Sequence, residues 1–518
     1  MLAKLIAVGP HDDLNSAYDA LVLVGNHIPQ HVDGPLGDHL RRVASIDAGF
    51  NNSTQILVTD LAPASRLVVS PTGPLDRDQD DVRRIADAAR AGLRQARSAG
   101  ARRPALRFIN TPQSGEFVHS MAVGLLGALG GLWEPLEARE HLGDDSCEPI
   151  TEIGVSFSAG VDEARILHWV SAVEAGRRLA RDMAGTEPER MAPIRMAELC
   201  EQAFTGVDVQ VTIQDDVTAI QRDYPLMASV ARASIPVPRH HPRVIRLEFE
   251  GEGPIQETLF FAGKGVSYDT GGADLKAGGH MAGMSRDKGG AAAVAGFLLT
   301  VGLLKPKGLR VVAEIGAVRN SIGAESFVTD EIITAHSGTR VRIGNTDAEG
   351  RLVMADLLSH LREEALEAVN PRLFTLATLT GHAGRAVGTY SIAMDNGPAR
   401  SAGIAESLFK EGDLWGDCFA LSRLRREDFE IVAPRTRADD VLSCNNLPSS
   451  GTPRGHQFPM AFLISAAGLT GHGRNAEKPL AYTHLDIGGS GVENGDWQHG
   501  APTAAPIVAL AGRWLYER

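Results

Sequence analysis

Two glycine-flanked segments, residues 263–290 and 345–352, hold charged side chains that strongly restrict how this chain can fold. Among these side chains are four carboxylates, two lysines and one arginine: Asp269, Asp287, Asp347, Glu349, Lys264, Lys276 and Arg351. Four carboxylates that meet in one pocket repel each other strongly at low dielectric. A fold that brings the two segments together therefore needs a source of compensating positive charge.

Bound metal ions are the simplest source of that charge. Four negative charges balance two divalent cations, and oxygen ligands suit Mg, Mn and also Zn. Asp347 and Glu349 lie two residues apart, so on an extended segment both side chains point to one side. Pairs of metal ions about 3.5–4 Å apart clamp the transition states of hydrolytic reactions. The two segments therefore indicate a site for two divalent metal ions, with Mg, Mn and Zn all candidates, of the kind that hydrolases use.

The three cationic side chains have separate expected roles. Lys264 beside two dications should have a lowered pKa, and its neutral amine could itself be a metal ligand. Lys276 and Arg351 should stay cationic, and either could stabilise an oxyanion. Arg351 could also hold a small anion in the fork of its guanidinium group.

The same residues also allow interpretations other than a metal site. Each segment alone could be an ordinary turn, because glycine after aspartate is common in loops. The presence of both segments in this residue order favours a site. The chain has no G-x-S-x-G and no H-E-x-x-H, and Gly263-Lys264 is followed by glycine rather than Ser or Thr. The sequence therefore lacks the signals of serine hydrolases, helical zinc peptidases and P-loop enzymes.

Length and hydrophobic periodicity predict two α/β domains. With 518 residues the chain is too long for one ordinary core. Apolar runs alternate with helical patterns in the first part, including a helix predicted over 80–98, which indicates a smaller α/β domain at 1–163. A helical pattern at about 164–184 is expected to link it to a larger domain over 164–518. The adjacent His240 and His241 supply too few ligands for a metal ion and are expected to lie in a solvated loop.

The net charge and the cysteine content limit which binding partners and which cellular compartment are expected. Lys plus Arg number 51 and Asp plus Glu number 64, a net charge of −13, so a nucleic-acid partner is not favoured. The four cysteines form no C-x-x-C pair, and reduced thiols are expected. The first ten residues hold too short an apolar run for a signal peptide, and the apolar stretch at 289–304 is too short to span a bilayer. We therefore expect a cytoplasmic protein with no membrane partner.

The two charged segments closely resemble the signatures of the leucyl aminopeptidase family, the cytosolic aminopeptidases with two metal ions. Residues 345–352 match the family's most diagnostic octapeptide in full, and the likeness fades toward the N-terminus. The chain departs from the family at Thr186 and Glu189, where asparagines are usual, and at Arg319-Asn320, where the family has Glu-Asn. The resemblance implies a larger C-terminal catalytic α/β domain with a mixed central sheet flanked by helices.

The resemblance also implies a role for each site residue. It implies metal ligands at five positions: Lys264, Asp269, Asp287, Asp347 and Glu349. Catalytic roles are implied for Lys276 and Arg351, with a bicarbonate ion at Arg351 acting as general base. Substrate contacts are implied for Met284 and for the backbone of Leu379 and Gly381. By the same analogy we expect peptide substrates and a homohexamer.

Three alternatives to a peptidase remain open at this point. One is a two-metal hydrolase of phosphate esters. Another is a DNA-binding role, which some family members have and against which the net charge of −13 argues. The last is a structural homologue without activity, against which the presence of all seven site residues argues. The sequence favours a metal-dependent aminopeptidase that removes the N-terminal residue of a peptide with an activated water.

Overall fold

The computed structural model of the chain describes residues 3–9, 14–157, 161–447 and 451–517. The first ten residues, in which no signal peptide was expected, lie partly outside this set. The chain divides into two compact units, Met1–Ala175 with Gly412–Gly416 and Gly176–Glu411 with Asp417–Arg518. The division falls within a long helix, Glu163–Gly185, in the region predicted to link two domains.

Six strands form the sheet of the first unit. They are β1 (Lys4–Val8), β2 (Ala20–Gly25), β3 (Gln55–Val58), β4 (Arg66–Pro71), β5 (Pro104–Ile109) and β6 (Glu152–Ser156). Their order is β1-β6-β5-β2-β4-β3, and every pair is parallel except β3 with β4. Strand β2 is buried along its whole length, as expected for a parallel strand inside a sheet covered on both faces.

Among the described residues seven helices lie wholly within this unit, and an eighth, α8 (Glu163–Gly185), runs across the division at Ala175. They are α1 (Leu14–Ala17), α2 (Ile28–His31), α3 (Gly34–Ile46), α4 (Arg83–Ser98), α5 (Ser120–Gly130), α6 (Leu136–Leu142), α7 (Asp144–Cys147) and α8 (Glu163–Gly185). Helix α4 was expected from residue 80 but begins at Arg83. The reason is that the buried carboxylate of Asp80 closes a turn by accepting hydrogen bonds from Arg77. The smaller α/β domain expected at the N-terminus is present.

Eleven strands follow in the second unit. They are β7 (Gln210–Gln214), β8 (Arg243–Glu250), β9 (Glu257–Asp269), β10 (Leu309–Asn320), β11 (Ile332–Thr334), β12 (Arg340–Arg342), β13 (Pro371–Ala377), β14 (Ser391–Asp395), β15 (Phe419–Arg423), β16 (Val441–Leu442) and β17 (Ala481–Asp486). Eight form one sheet in the order β15-β14-β17-β13-β9-β10-β8-β7, and β11, β12 and β16 form a small second sheet. Strands β17, β13, β9 and β10 are parallel, while β14, β8 and β7 introduce antiparallel pairs. The predicted mixed central sheet is confirmed.

Among the described residues eleven helices follow α8, and several of them contact the mixed sheet. They are α9 (Pro193–Ala203), α10 (Val217–Asp223), α11 (Pro225–Ala231), α12 (Gly289–Leu304), α13 (Glu349–Ala365), α14 (Gly381–Val387), α15 (Gly397–Ser401), α16 (Ile404–Trp415), α17 (Arg426–Ile431), α18 (Phe458–Ala466) and α19 (Ile507–Leu515). Among the described residues one stretch, Met284–Leu304, is long and apolar enough to cross a membrane by composition. Its apolar window is 89% buried within the protein, which is the behaviour of a core helix. The buried helix predicted over 289–304 is confirmed by α12.

Strand β9 is longer than the sequence suggested. We expected a strand over 257–261 that ends just before Lys264, whereas β9 continues through Lys264 to Asp269. It can continue because β10 pairs with it in parallel from Glu257 to Asp269 and supplies hydrogen bonds along that length. The strand therefore carries two of the predicted site residues rather than ending before the first of them.

Candidate metal centre

Three structural elements of the second unit bring the acidic residues together. Asp269 is the last residue of β9, at the carboxyl end where open α/β sheets bind ligands. Asp287 lies between a short 3-10 turn, Met284–Arg286, and α12. Asp347 lies in a turn and Glu349 is the first residue of α13, so the two are not on an extended segment as predicted. The turn and the start of the helix bring them together instead.

Lys264 lies between two of these carboxylates. Its Nζ is 2.8 Å from Asp287 Oδ1 and 2.8 Å from Glu349 Oε1, and it donates a hydrogen bond to the carbonyl oxygen of Thr378 at 3.1 Å. The side chain is only 3% exposed. A Cβ atom at Gly350 would lie 2.6 Å from the Lys264 methylenes, so this glycine leaves the room through which the lysine reaches the cluster.

Lys276 bridges the other two carboxylates. Its Nζ is 3.0 Å from Asp269 Oδ2 and also forms an ion pair with Asp347 Oδ1. Asp269 Oδ1 accepts hydrogen bonds from the backbone N–H of Gly271 at 2.9 Å and from the side-chain amide of Asn320 at 2.8 Å. Six of the seven charged residues singled out in the sequence thus form one cluster of interleaved lysines and carboxylates.

Burial and mutual repulsion raise the pKa values of the carboxyl groups in this cluster. For Asp347 burial is the largest cause and the charge of Asp269 the next, and together they raise the pKa to about 7. The pKa values of Asp287 and Glu349 are also raised, again chiefly by burial. Burial acts in the opposite sense on the two lysines, but the surrounding carboxylates outweigh it and raise both lysine pKa values. The lowered pKa expected for Lys264 beside two cations stays a prediction.

The donor set of the cluster fits a divalent metal ion. One oxygen each of Asp269, Asp347 and Glu349 lie within 4.8 Å of one another. Asp347 Oδ1 and Glu349 Oε1 are buried, and each forms an ion pair with a lysine of the cluster. Four carboxylates against two lysines also leave two negative charges, the charge that one dication neutralises.

Two of the remaining predicted site residues, Arg351 and Met284, differ in burial. Arg351 is buried near the start of α13, where Nη1 donates to the carbonyl oxygen of Ser443 at 2.9 Å and the guanidinium lies 4.9 Å from the ring centre of Phe458. It has no ion pair with the four carboxylates. Met284 is half-buried in the 3-10 turn before Asp287.

The loop after β13 holds the two residues predicted to contact substrate through their backbone. The N–H of Leu379 donates to Asp486 Oδ1 at 3.2 Å, so this group is already engaged within the protein. Gly381 is exposed and begins α14, with no heavy atom within 4 Å of the position a Cβ would take. The open space at Gly381 is consistent with the predicted contact, which stays a prediction.

Sequence reasoning missed two residues that support the cluster. Thr378 follows β13 directly, and its hydroxyl donates to Asp287 Oδ1 at 2.8 Å while its carbonyl accepts from Lys264. Asn320 ends β10 and holds Asp269, and its own Oδ1 is buried without a partner among the described residues. Both stand at the carboxyl ends of strands beside β9, and that position was the signal that could have identified them.

The match to a known protein family lies largely in the second unit of the chain. Residues 178–511 match the model of the cytosol aminopeptidase family, catalytic domain. The chain belongs to the cytosol aminopeptidase family. The Caenorhabditis elegans protein W07G4.4, whose name marks it as a candidate aminopeptidase, is 43% identical over 484 residues, 92% of each chain. A protein named probable cytosol aminopeptidase, from Roseiflexus castenholzii, is 28% identical over 488 residues, 94% of this chain and 93% of its own.

A solved structure shares the fold of this cytosol aminopeptidase family member. The bottromycin maturation enzyme BotP, in complex with Mn, has a TM-score of 0.74 over 95% of this chain and 98% of its own, at 22% identity. At that identity the likeness shows the two-domain α/β fold. The family membership indicated by the two charged segments is confirmed.

Two departures of this chain from the usual family sequence meet in the structure. Arg319 Nη1 donates to Glu189 Oε1 at 2.7 Å, and Glu189 also accepts hydrogen bonds from Arg239 and His240. Hydrogen bonding to Arg239 is the largest cause of the lowered Glu189 pKa, about 2. His240 is 6% exposed, so the prediction of a solvated loop was wrong at this residue, which is buried against its carboxylate partner. Arg319 directly precedes Asn320 in the chain. The position at which the charge is reversed therefore adjoins the residue that donates a hydrogen bond to Asp269.

Proposed function

We propose that this protein is a metal-dependent aminopeptidase that hydrolyses the N-terminal residue from peptides. The observation that carries the proposal is the convergence of four carboxylates and two lysines at the carboxyl ends of parallel strands. Three of the carboxylates have oxygens within 4.8 Å of one another, which suits a divalent cation. Membership in the cytosol aminopeptidase family supports peptides as the substrate class.

Two divalent cations, Zn or Mn with Mg as a further candidate, are proposed as cofactors. The residues that would hold them are Lys264, Asp269, Asp287, Asp347 and Glu349. Such cations supply Lewis acidity and ease the deprotonation of water at neutral pH. The protein contributes a buried, water-poor setting, in which charges act more strongly than they do in solvent.

The other site residues would act on the substrate. Lys276 is a cation at the exposed side of the cluster, with 16% of its side chain exposed, and would stabilise the negative charge that develops on the carbonyl oxygen. Arg351 would hold bicarbonate, since its Nε is buried without a partner among the described residues. The Leu379 carbonyl and the open backbone at Gly381 would align the peptide, and Met284 would contact its first side chain.

Removal of the metal tests this function. A chelator should abolish hydrolysis of aminoacyl amides or aminoacyl fluorogenic substrates, because removal of the cations removes the Lewis acid that eases deprotonation of water at neutral pH. Addition of Mn or Zn should restore turnover, and a panel of aminoacyl groups would define the preferred residue. A parallel assay with phosphate monoesters serves as the control for substrate class. Turnover that persists unchanged after complete metal removal would contradict the proposal.

The oligomeric state and the cellular location of the enzyme are also proposed from its family. We expect a homohexamer in solution, and sedimentation equilibrium should give six times the 55.1 kDa of one chain. A monomer mass would exclude it. We also propose a cytoplasmic location, which the family name supports, and no membrane or nucleic-acid partner, the latter in line with the net charge of −13.

A further inference from the structure

A cavity of about 380 Å³ lies at the ends of the small second sheet, and the proposed function gives it no role. Strands β12 and β16 pair in parallel there, so their carboxyl ends meet at one edge. Residues 343–344 after β12 and Asn445 and Asn446 after β16 line the cavity, together with Asp330 and Arg435. Both the volume and the position at the carboxyl ends of parallel strands are typical of a binding site for a small molecule.

Both walls of the cavity continue into the candidate metal centre. Gly344 and Asp347 are three positions apart, so their Cα atoms are separated by at most about 11 Å. Ser443 joins the walls, because its hydroxyl accepts a hydrogen bond from the N–H of Gly344 at 3.0 Å and its carbonyl oxygen accepts one from Arg351 Nη1 at 2.9 Å. A Cβ at Gly344 would lie 1.7 Å from the carbonyl oxygen of Cys444, so only glycine allows this approach. The cavity therefore adjoins the metal centre through shared backbone.

The two arginines that line the cavity differ in how many of their donors are already engaged. Arg342 donates through Nε and Nη2 to Asp439 Oδ1 at 3.2 and 3.1 Å, and through Nη1 to the carbonyl oxygen of Asp330 at 3.4 Å. Arg435 donates only through Nη2, to the carbonyl oxygen of Ile431 at 3.0 Å, and it forms no ion pair with the described part of the chain. Arg342 therefore belongs to the wall, whereas Nε and Nη1 of Arg435 remain for a ligand.

The polar side chains of the lining define the chemistry of the ligand. Asn445 Oδ1 accepts a hydrogen bond from Thr452 Oγ1 at 3.4 Å, which leaves the amide NH₂ group of Asn445 as a donor. Asn446 is exposed and adds a second amide. A guanidinium and two amide groups suit a carboxylate, and the exposed carboxylate of Asp330 suits an N–H donor. The last residue of a peptide has both groups, a free carboxylate and a backbone N–H.

We propose that this cavity binds the C-terminal carboxylate of a short peptide substrate, an inference that rests on the function proposed above. The carboxylate pairs with Arg435, while the N-terminal residue of the same peptide lies at the metal centre. An extended peptide spans about 3.3–3.6 Å per residue, so three or four residues cover a separation of about 11 Å. The enzyme therefore favours tripeptides and tetrapeptides with a free C-terminus, because binding at the remote end helps to position the bond that is cleaved.

The test compares tripeptides that have a free C-terminal carboxylate with the same tripeptides as C-terminal amides, using the metal-loaded full chain. The wild type should hydrolyse the free acids with a kcat/KM about tenfold or more above that of the amides, the usual contribution of a hydrogen bond to a charged group. Arg435→Met should remove this preference by lowering kcat/KM for the free acids. Hydrolysis of a single aminoacyl amide, which is too short to reach the cavity, should change much less. Arg435→Lys should restore part of the preference.

Arg437→Met is the matched control, because Arg437 is exposed two residues further along the same loop and does not line the cavity. It should retain the wild-type preference for free acids. Equal kcat/KM for acids and amides in the wild type, or an undiminished preference in Arg435→Met, would overturn the role of the cavity and leave the peptidase function intact. A metal-loaded wild type that hydrolyses neither tripeptides nor aminoacyl amides would instead remove the proposed function as well.

Discussion

Asp347→Ala or Glu349→Ala should abolish metal binding and turnover together. Each change removes one of three carboxylates whose oxygens lie within 4.8 Å of one another, so a cation there loses a ligand and half of the excess negative charge. For the wild type, Mn at a hundredfold excess over Kd should stabilise the fold by about 2.7 kcal/mol by mass action, seen as a rise in Tm. Neither variant should show this rise, and metal analysis should find less metal per chain.

Asp274→Asn provides the matched control for these variants. Asp274 lies in the loop between Asp269 and Lys276, but its Oδ2 accepts a hydrogen bond from the backbone N–H of Thr346 at 2.7 Å, which an asparagine oxygen can also accept. This variant should retain the metal-induced rise in Tm and most of its activity. Full turnover of Asp347→Ala in metal-free buffer would refute the assignment of the cluster as a metal centre.

Lys276→Met and Lys264→Met should fail in different ways, although both lysines lie within the same cluster. Lys276→Met should lower kcat by about 10²–10³-fold, the typical loss when one group that stabilises an oxyanion is removed. Its metal content should persist, because removal of a competing cation from Asp269 and Asp347 does not weaken their hold on a metal ion. Lys264→Met should instead lose metal, since Lys264 is predicted to be a ligand.

Metal analysis and kinetics on the same preparations separate the two lysines. Lys288→Met is a suitable comparison for general damage, because Lys288 is buried but its Nζ donates to the carbonyl of Thr186 at 2.8 Å rather than to the cluster. A Tm loss shared by all three variants would indicate a structural effect. Loss of metal from Lys276→Met would mean that this residue is a ligand and that its proposed catalytic role is wrong.

The charged residues of the site could be identified from sequence because they serve no purpose as ordinary surface or core groups. Four carboxylates and two lysines next to glycines are costly to bury unless they compensate each other, so their chemistry was visible before their positions were known. Their geometry was harder to predict. The strand β9 runs past Lys264 because β10 supports it, and this pairing depends on residues about 50 positions away.

Contacts between distant parts of the chain were beyond a single sequence. Nothing local in the sequence shows that Glu189 meets Arg319, or that Thr378 lies against Asp287. The burial of His240 was not predicted for the same reason, because its carboxylate partner Glu189 lies 51 positions earlier in the chain. Side chains that act through tertiary contact carry no periodic signal, so a single sequence does not show which of them meet.

The pairing of Glu189 with Arg319 couples two positions that lie 130 residues apart in the chain. A glutamate at position 319 alone would set two negative groups face to face, next to the asparagine that steadies Asp269. A neutral residue at position 189 removes that repulsion, so the effects of substitutions at the two positions should not be additive.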